Sequence, residues 1–138
     1  MAVDITALTP GTQLTRNEFS IDDEYARRYI AVVNPHYSAV RDWVPPHGIA
    51  TRAVLSLLDS LSLPAGTVHV SQSVTSHAQA NLGSIFSMLT TVTQTRVVRG
   101  YLHIGLSFNV YDNKCDAETL ILQGDTVVMV PLETDQEL

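Results

Sequence analysis

Cysteine and lysine are almost absent from this 138-residue sequence, which contains only Cys115 and only Lys114. A single thiol cannot form an internal disulfide, and it cannot build a thiolate metal site alone. A disulfide-stapled secreted scaffold and a zinc finger are therefore excluded.

Acidic residues outnumber basic ones by 14 to 8, for a formal net charge of -6. So little positive charge does not suit duplex nucleic acid, and we expect no nucleic-acid partner.

Charged residues and long apolar runs are also scarce. Only 16% of the residues are charged and 45% are hydrophobic, which is enough apolar material for one core. The length matches one domain of about 100–150 residues, and we predict a single domain over residues 1–138. No apolar run reaches the roughly 18 residues of a membrane span, and the start of the chain lacks the basic and apolar parts of a signal peptide. We expect a cytoplasmic protein without a membrane partner.

The carboxylates are distributed unevenly along the chain. Seven lie in residues 1–59 and seven in residues 112–138, while the 52 residues from Ser60 to Tyr111 contain none. The only formal charges in that stretch are Arg96 and Arg99. Any chemistry that needs a carboxylate must therefore come from the first or the last part of the chain.

Two segments are predicted to be helical. Ser20, with Asp23 and Glu24 after it, has the residue types of an N-cap and a first helical turn, so we expect a helix to begin there. It should end before Asn34-Pro35, because proline disfavours helical geometry in the preceding residue. The loop that follows leads to a second helix from His47 to Leu61, where apolar residues recur every three or four positions on one face: Ile49, Ala53, Val54, Leu57, Leu58 and Leu61.

The remainder of the chain has the composition and alternation of β-strands. Stretches rich in Val, Ser and Thr predict strands over 68–80 and 85–98. Strict alternation from Tyr101 to Val110 predicts a strand with one apolar face, and Arg99-Gly100 predicts the turn before it. A last strand is predicted from Glu118 to Val130, with a bulge at Gly124, the glycine within it.

A long helix followed by three or four long antiparallel strands can bury its apolar face only against the sheet that they form. The predicted fold class is therefore α+β, with the sheet curled around the helix as a roll.

Short motifs occur in a recognisable order between about residues 20 and 131: Asn34-Pro35-His36-Tyr37, Pro45-Pro46-His47-Gly48-Ile49, Val68-His69-Val70-Ser71-Gln72, the hairpin from Ile85 to Val110, and Gly124 followed by Val127-Val128-Met129-Val130-Pro131. In this order they resemble the hot-dog fold and, within it, the MaoC-like dehydratases and (R)-specific enoyl-CoA hydratases. The resemblance implies a single hot-dog domain, in which a curved antiparallel sheet wraps a long central helix.

The resemblance also implies a substrate and a mechanism. The substrate is an acyl thioester of coenzyme A or of a carrier protein, of the kind used in fatty acid metabolism, and the reaction interconverts 2-enoyl and hydroxyacyl thioesters. An Asp and a His before the central helix, in a segment that usually reads Gly-Asp-x-Asn-Pro-x-His, hold or activate the water. A backbone amide near Gly48 polarises the thioester carbonyl. No cofactor is implied beyond the coenzyme A of the substrate.

The sequence departs from this family pattern in the loop before the central helix. Two positions before Asn34, where the family has Asp, the chain has Val32, and Tyr37 stands where the family has His. No carboxylate lies between residues 24 and 42. The usual acid–base pair is therefore missing as such, although a shortened loop would shift the register, and His36 lies next to the expected position.

Three residues are the candidate catalytic residues: His36, Asn34 and His47. An imidazole that titrates near neutral pH suits His36 to the role of base, although it also reads as an ordinary loop histidine. His47 equally reads as an ordinary residue near a helix start. The other histidines, His69, His77 and His103, are predicted to lie on sheet faces, and their spacing matches no metal site.

Four further residues are candidate substrate-binding residues: Gly48, Tyr37, Arg52 and Arg96. Gly48 offers an amide for an oxyanion. Arg52 can meet a phosphate or carboxylate of the substrate, or pair with Asp59 or Asp42 instead. Arg96, with Arg99, can meet the phosphates of coenzyme A, or lie on a solvated turn.

The sequence is compatible with three functions. The first is a hydratase or dehydratase of enoyl thioesters. The second is a catalytically silent hot-dog subunit, or acyl-thioester-binding module, that pairs with an active MaoC-like partner. A thioesterase is the weaker third, because that chemistry also needs a carboxylate near the helix. Hot-dog units typically pair through a sheet edge, so we expect a homodimer or a hetero-oligomer with a sister subunit.

Overall fold

The computed structural model describes residues 3–14, 16–33, 43–44, 46–81, 83–113 and 118–132. Within these ranges the chain forms two α-helices, α1 (Asp23–Val33) and α2 (Pro46–Asp59). The same ranges contain nine strands: β1 (Val3–Asp4), β2 (Asn17–Ser20), β3 (Trp43–Val44), β4 (Leu61–Ser62), β5 (Val68–Ser76), β6 (Ala80–Asn81), β7 (Ile85–Val98), β8 (Tyr101–Asp112) and β9 (Thr119–Pro131). A short 3-10 helix covers Ile5–Ala7.

Helix α1 begins two residues after the predicted position, at Asp23. Asp22 caps it, because its Oδ1 accepts a hydrogen bond from the amide of Tyr25 at 2.8 Å. The prediction that Ser20 is the cap was wrong, since Ser20 ends β2 and is paired with Ile85 in β7. The end of α1 at Val33, immediately before the Asn-Pro pair, is as predicted.

Helix α2 carries the predicted apolar face into the core. Four of its predicted residues are nearly inaccessible to solvent, Ile49, Ala53, Val54 and Leu57, while Leu58 is half-buried. Ala50, which was not predicted, is buried with them. The helix ends at Asp59, two residues earlier than predicted, because Leu61–Ser62 instead pair with Val3–Asp4 as short parallel strands. The hydroxyl of Ser60 donates to the carbonyl of Leu57 at 2.6 Å and helps to end the helix.

The main sheet is antiparallel and has the order β2-β7-β8-β9-β5. The predicted alternation in β8 is confirmed, because its helix-facing side chains are buried: Leu102, Ile104, Leu106, Phe108 and Val110. The predicted bulge at Gly124 was wrong. Gly124 pairs in continuous register with both Phe108 and Val74, and the irregular positions lie elsewhere: at 69–71 in β5, at 92–94 in β7, and at Ile121 in β9, which is the extra residue opposite 110–111 of β8.

Strand β5 forms one edge of this sheet, paired only with β9 among the described strands. Its residues are all exposed except Val74, which is half-buried. Helix α2 lies against β2, β5 and β9, so this edge borders the helix-covered side of the sheet.

The predicted loop from Asn34 to Pro46 lies mostly outside the described residues. Within it, Trp43–Val44 pair with Ala80–Asn81, which ties the approach to α2 to the segment before β7. Among the described helices, none is long and apolar enough to cross a membrane.

Candidate functional site

The described part of the candidate site is the first turn of α2. Pro46 is the first helical residue, where the missing N–H of proline costs nothing and its fixed backbone angle suits the helix. The amides of His47 and Gly48 follow in the same turn, where backbone N–H groups have no acceptor within the helix. Together with the helix dipole, such amides favour an anionic or developing negative charge.

Two tyrosines of α1 hold this turn in place. The Tyr25 hydroxyl donates to the Gly48 carbonyl at 3.3 Å. Gly48 is buried, and a Cβ at this position would touch the Tyr29 ring at 3.4 Å. The start of α2 is thus packed against α1, which fixes the direction of its free amides.

The same tyrosines have shifted acidities. Burial raises the pKa of both Tyr25 and Tyr29 above the ordinary value of 10.0. For Tyr25, the nearby Arg52 guanidinium opposes this effect and lowers the pKa, while Tyr29 raises it further. Both phenols are therefore hydrogen-bond donors over the physiological pH range. Sequence reasoning missed these residues, although their four-residue spacing on α1 is the available signal.

Arg52 lies one turn into α2 and is half-buried. Its guanidinium carbon lies 5.9 Å from the centroid of the Phe19 ring. Among the described residues it forms no ion pair, so the alternative pairing with Asp59 does not form, while Asp42 lies outside the described residues. Arg52 therefore places a positive charge near the first turn of α2.

The predicted catalytic residues are only partly within the described structure. His47 is exposed, and its ring makes no hydrogen bond to another described residue. Its carbonyl accepts from the Thr51 hydroxyl at 2.9 Å. Asn34, His36 and Tyr37 lie outside the described residues, so their roles stay predictions.

Arg96 lies on the other side of the sheet from α2. It pairs directly with His103, whose neighbours Leu102 and Ile104 point into the core. Directly opposed residues share a face of the sheet, so Arg96 and His103 both point away from α2. Within one chain, Arg96 is not brought together with His47, Gly48 or Arg52.

The remaining described histidines are separated from one another. His69 lies in β5 and contacts the hydroxyl of Thr126 at 2.6 Å. His77 follows the end of β5 rather than lying in a strand as predicted, and contacts Gln123 at 2.7 Å. In the part of the chain that the structure describes, no three residues of the His, Cys, Asp and Glu types are grouped as metal ligands would be.

No protein-family model and no curated protein matches the chain. Solved structures do resemble it. The MaoC-like dehydratase from Rhodospirillum rubrum gives a TM-score of 0.75 at 11% identity, over 96% of this chain and 99% of that chain. R-hydratase PhaJ1 from Pseudomonas aeruginosa gives a TM-score of 0.70 at 15% identity, over 93% of this chain and 85% of that chain. C-terminally truncated HadBC, a 3R-hydroxyacyl-ACP dehydratase complex from Mycobacterium tuberculosis, gives a TM-score of 0.68 at 15% identity, over 91% of this chain and 99% of that chain.

At these identities the likeness establishes the fold. The predicted α+β class, with a long helix wrapped by a curved antiparallel sheet, is confirmed, and the chain has the hot-dog fold. The resemblance to MaoC-like dehydratases and (R)-hydratases is confirmed at that level.

Proposed function

We propose that this chain binds 2-enoyl thioesters of the acyl-CoA type and catalyses their hydration or the reverse dehydration. The observation that carries the proposal is the likeness of its fold to an R-hydratase, a MaoC-like dehydratase and a 3R-hydroxyacyl-ACP dehydratase. Coenzyme A enters as part of the substrate, and the proposal includes no separate cofactor.

The start of α2 supports thioester binding. Addition of water at C3 of an enoyl thioester moves electrons toward the thioester oxygen, which becomes an enolate oxygen. Preorganised amides lower the barrier to such a step because they stabilise the charge as it develops. The Gly48 amide is in the first turn of α2, and packing against Tyr29 holds that turn. Arg52 adds a nearby positive charge for an anionic part of the substrate.

The residues before α2 belong to the proposal on sequence grounds. His36 is the candidate base, Asn34 a candidate for orienting the water, and Tyr37 a candidate contact to the acyl group. His47 is the remaining candidate in the first turn of α2.

A catalytically silent subunit is the second candidate function, and one observation favours it. Val32 occupies the position where the resemblance expects an Asp, and its side chain is 83% exposed near the end of α1. An apolar residue cannot take a proton from water. Under this alternative the chain binds thioesters, or supports an active MaoC-like partner, without performing the reaction.

The edge strand β5 supports self-association or pairing with a sister subunit. An unpaired edge offers a row of free N–H and C=O groups to another strand. Protecting lysines and prolines are absent from β5, and Val68 and Val70 are 47% and 50% exposed. We propose that β5 pairs with the equivalent strand of a second copy, in which case the thioester would lie between subunits.

Hydration of crotonyl-CoA by the purified protein tests the proposal, followed as the loss of absorbance of the conjugated thioester. Gly48→Pro removes the amide of the third helical residue and should lower kcat about a hundred-fold in a chain whose circular dichroism matches that of the wild type. Gly48→Ala keeps the amide and should retain activity, since its methyl group meets the Tyr29 ring at van der Waals distance.

Inactivity of the folded wild-type chain toward crotonyl-CoA would contradict the hydratase proposal. Activity that appears only after a MaoC-like sister chain is added would support the silent-subunit alternative. Hydrolysis of the thioester, seen as free thiol, would favour the thioesterase.

A further inference from the structure

Arg52 differs from the other described arginines because it is both half-buried and unpaired. Three of them form ion pairs with carboxylates, and the other two are exposed: Arg16, Arg27 and Arg28 are paired, while Arg96 and Arg99 are exposed. Arg52 forms no ion pair with any described residue. A guanidinium carries only donors, and a carboxylate matches its planar geometry best. The side chain is therefore suited to an anionic group that a ligand supplies.

The Arg52 side chain lies against the interior of the fold. Its guanidinium carbon is 5.9 Å from the centroid of the Phe19 ring, and the Phe19 and Phe86 rings lie 5.5 Å apart. Both phenylalanines are buried on the side of the sheet that α2 covers. Asp112 lies opposite Phe86 on the same side, but its strand is two spacings from Phe19, roughly 10 Å away. No described carboxylate lies within ion-pair distance of Arg52.

The first turn of α2 lies next to this guanidinium. Gly48 and Arg52 are four residues apart, which is about 6 Å along the helix axis on one face. Helical side chains also lean toward the N-terminus of their helix. The electrostatic effect of Arg52 on Tyr25 agrees with this placement, because the Tyr25 hydroxyl donates to the Gly48 carbonyl at 3.3 Å. A short acyl group can therefore place its thioester oxygen at the free amides and its far end at Arg52.

We propose that Arg52 determines substrate specificity, and that the acyl group of the substrate is short and ends in a carboxylate. The substrate class is the monothioester of an unsaturated dicarboxylic acid, an inference that rests on the proposed hydratase function. Glutaconyl-CoA has this structure. Water adds across its C2=C3 double bond, with the oxygen at C3 and a hydrogen at C2, and the product is 3-hydroxyglutaryl-CoA. The carboxylate takes no part in the bond changes and stays paired with Arg52.

The phosphates of coenzyme A are the other anionic groups that such a substrate carries. The long pantetheine arm separates them from the thioester, whereas Arg52 lies one helical turn from the amide that is proposed to hold the thioester oxygen. Its guanidinium also packs on a buried phenylalanine ring, on the side of the sheet that faces the core. These two features favour the acyl carboxylate, and the experiment separates the two sources.

Hydration of glutaconyl-CoA is compared with that of 5-methylhex-2-enoyl-CoA, in which methyl groups replace the carboxylate oxygens. The wild-type KM should be at least about ten-fold lower for glutaconyl-CoA, with similar kcat, because a charge-assisted hydrogen bond is lost with the neutral group. Arg52→Met keeps the packing on Phe19 and should abolish this difference. Arg52→Lys keeps the charge without the planar donors and should retain part of it. Arg27→Met removes an exposed arginine that pairs with Asp23, and should change neither KM.

Two kinetic outcomes would overturn the inference and leave the hydratase proposal intact. Equal wild-type KM values for the two substrates would show that the acyl carboxylate is not recognised. An equal rise of both KM values in Arg52→Met would place Arg52 on the phosphates of coenzyme A, which the two substrates share.

Calorimetric binding of the saturated analogues tests the charge preference without the reaction. The wild-type chain should bind glutaryl-CoA about ten-fold more tightly than 5-methylhexanoyl-CoA, and Arg52→Met should bind both equally. A chain that shows this preference but hydrates neither enoyl substrate would contradict the hydratase proposal and support the role of Arg52. A chain with neither the activity nor the preference would contradict both.

Discussion

Gly124 lies directly opposite Phe108 in the pairing of β8 with β9, and a Cβ on Gly124 would lie only 2.4 Å from Cζ of the Phe108 ring. The same Cβ would lie 2.8 Å from the Ser73 carbonyl oxygen in β5. Phe108 is 1% exposed, so its ring has no solvent into which it can move. The Phe108 ring therefore occupies the volume that a side chain at position 124 would need.

Gly124→Ala should therefore destabilise the protein. The added methyl group overpacks a closed core and meets backbone as well as a ring, so we expect the free energy of unfolding to fall by about 1–3 kcal/mol. Urea denaturation measures this. In the Phe108→Leu background, where the smaller side chain frees space, Gly124→Ala should lower the free energy of unfolding by less. Some loss should remain, because the Ser73 carbonyl oxygen still lies close to the added methyl group. A cost that is unchanged in the Phe108→Leu background would show that the ring is not the obstacle.

The β7–β8 turn offers a stabilising change. Arg99 and Gly100 have φ angles of 52° and 80°, both in the left-handed region. Asn adopts this conformation more readily than Arg, and Asn-Gly is the preferred pair for such turns. Arg99→Asn should raise the free energy of unfolding by about 1 kcal/mol, because it relieves part of the cost of the left-handed conformation, and the urea midpoint should rise. Arg99→Gln also removes the charge, but Gln does not favour the left-handed conformation, so this variant should not raise the urea midpoint.

Elements with a strong local pattern were predictable from sequence. The alternation in β8, the apolar face of α2 and the Arg99-Gly100 turn each depend on neighbours within a few residues. The predicted bulge at Gly124 was wrong because a glycine within a strand indicates either a bulge or a place where another group comes close to the backbone. Only the position of Phe108 in the neighbouring strand decides between the two.

The candidate site was less predictable for the same reason. Gly48 could be proposed from its place at a helix start, which is a local feature. Its contacts with Tyr25 and Tyr29 join two helices separated by a loop, and no local pattern encodes them. The side-chain contact between His69 and Thr126 spans 57 positions and depends on the register of β5 against β9.

Alkaline pH should weaken the packing of α1 on α2. Burial raises the pKa of Tyr25 and Tyr29 above 10.0, so the folded chain holds these protons more tightly than the unfolded chain does. That stabilisation is fully present below pH 10.0 and is lost as the pH rises through the folded-state pKa values. Urea denaturation at increasing pH should show a falling free energy of unfolding, with a shallower fall in Tyr29→Phe.

Arg52 provides a separate check on the same cluster. Its charge stabilises the Tyr25 tyrosinate, so Arg52→Met should raise the pKa of Tyr25 further. NMR titration of the tyrosine ring carbons measures this. Arg27→Met is the control, because Arg27 is an exposed residue of α1 that pairs with Asp23. An equal effect of both variants would mean that Arg52 does not act specifically on Tyr25.

The free edge of β5 should determine the assembly state. Val70 is 50% exposed in a strand that contains no Lys, Arg, Asp or Glu, so a second copy can approach it without burying a formal charge. Val70→Lys places a charge in that row and should convert a dimer to a monomer at micromolar concentration, as lysine does on natural edge strands. Sedimentation measures the change.

Val32→Lys makes the same substitution at an 83% exposed position on α1 and should leave the dimer intact. A wild-type chain that sediments as a monomer would contradict pairing through β5, and equal loss of the dimer in both variants would place the interface elsewhere.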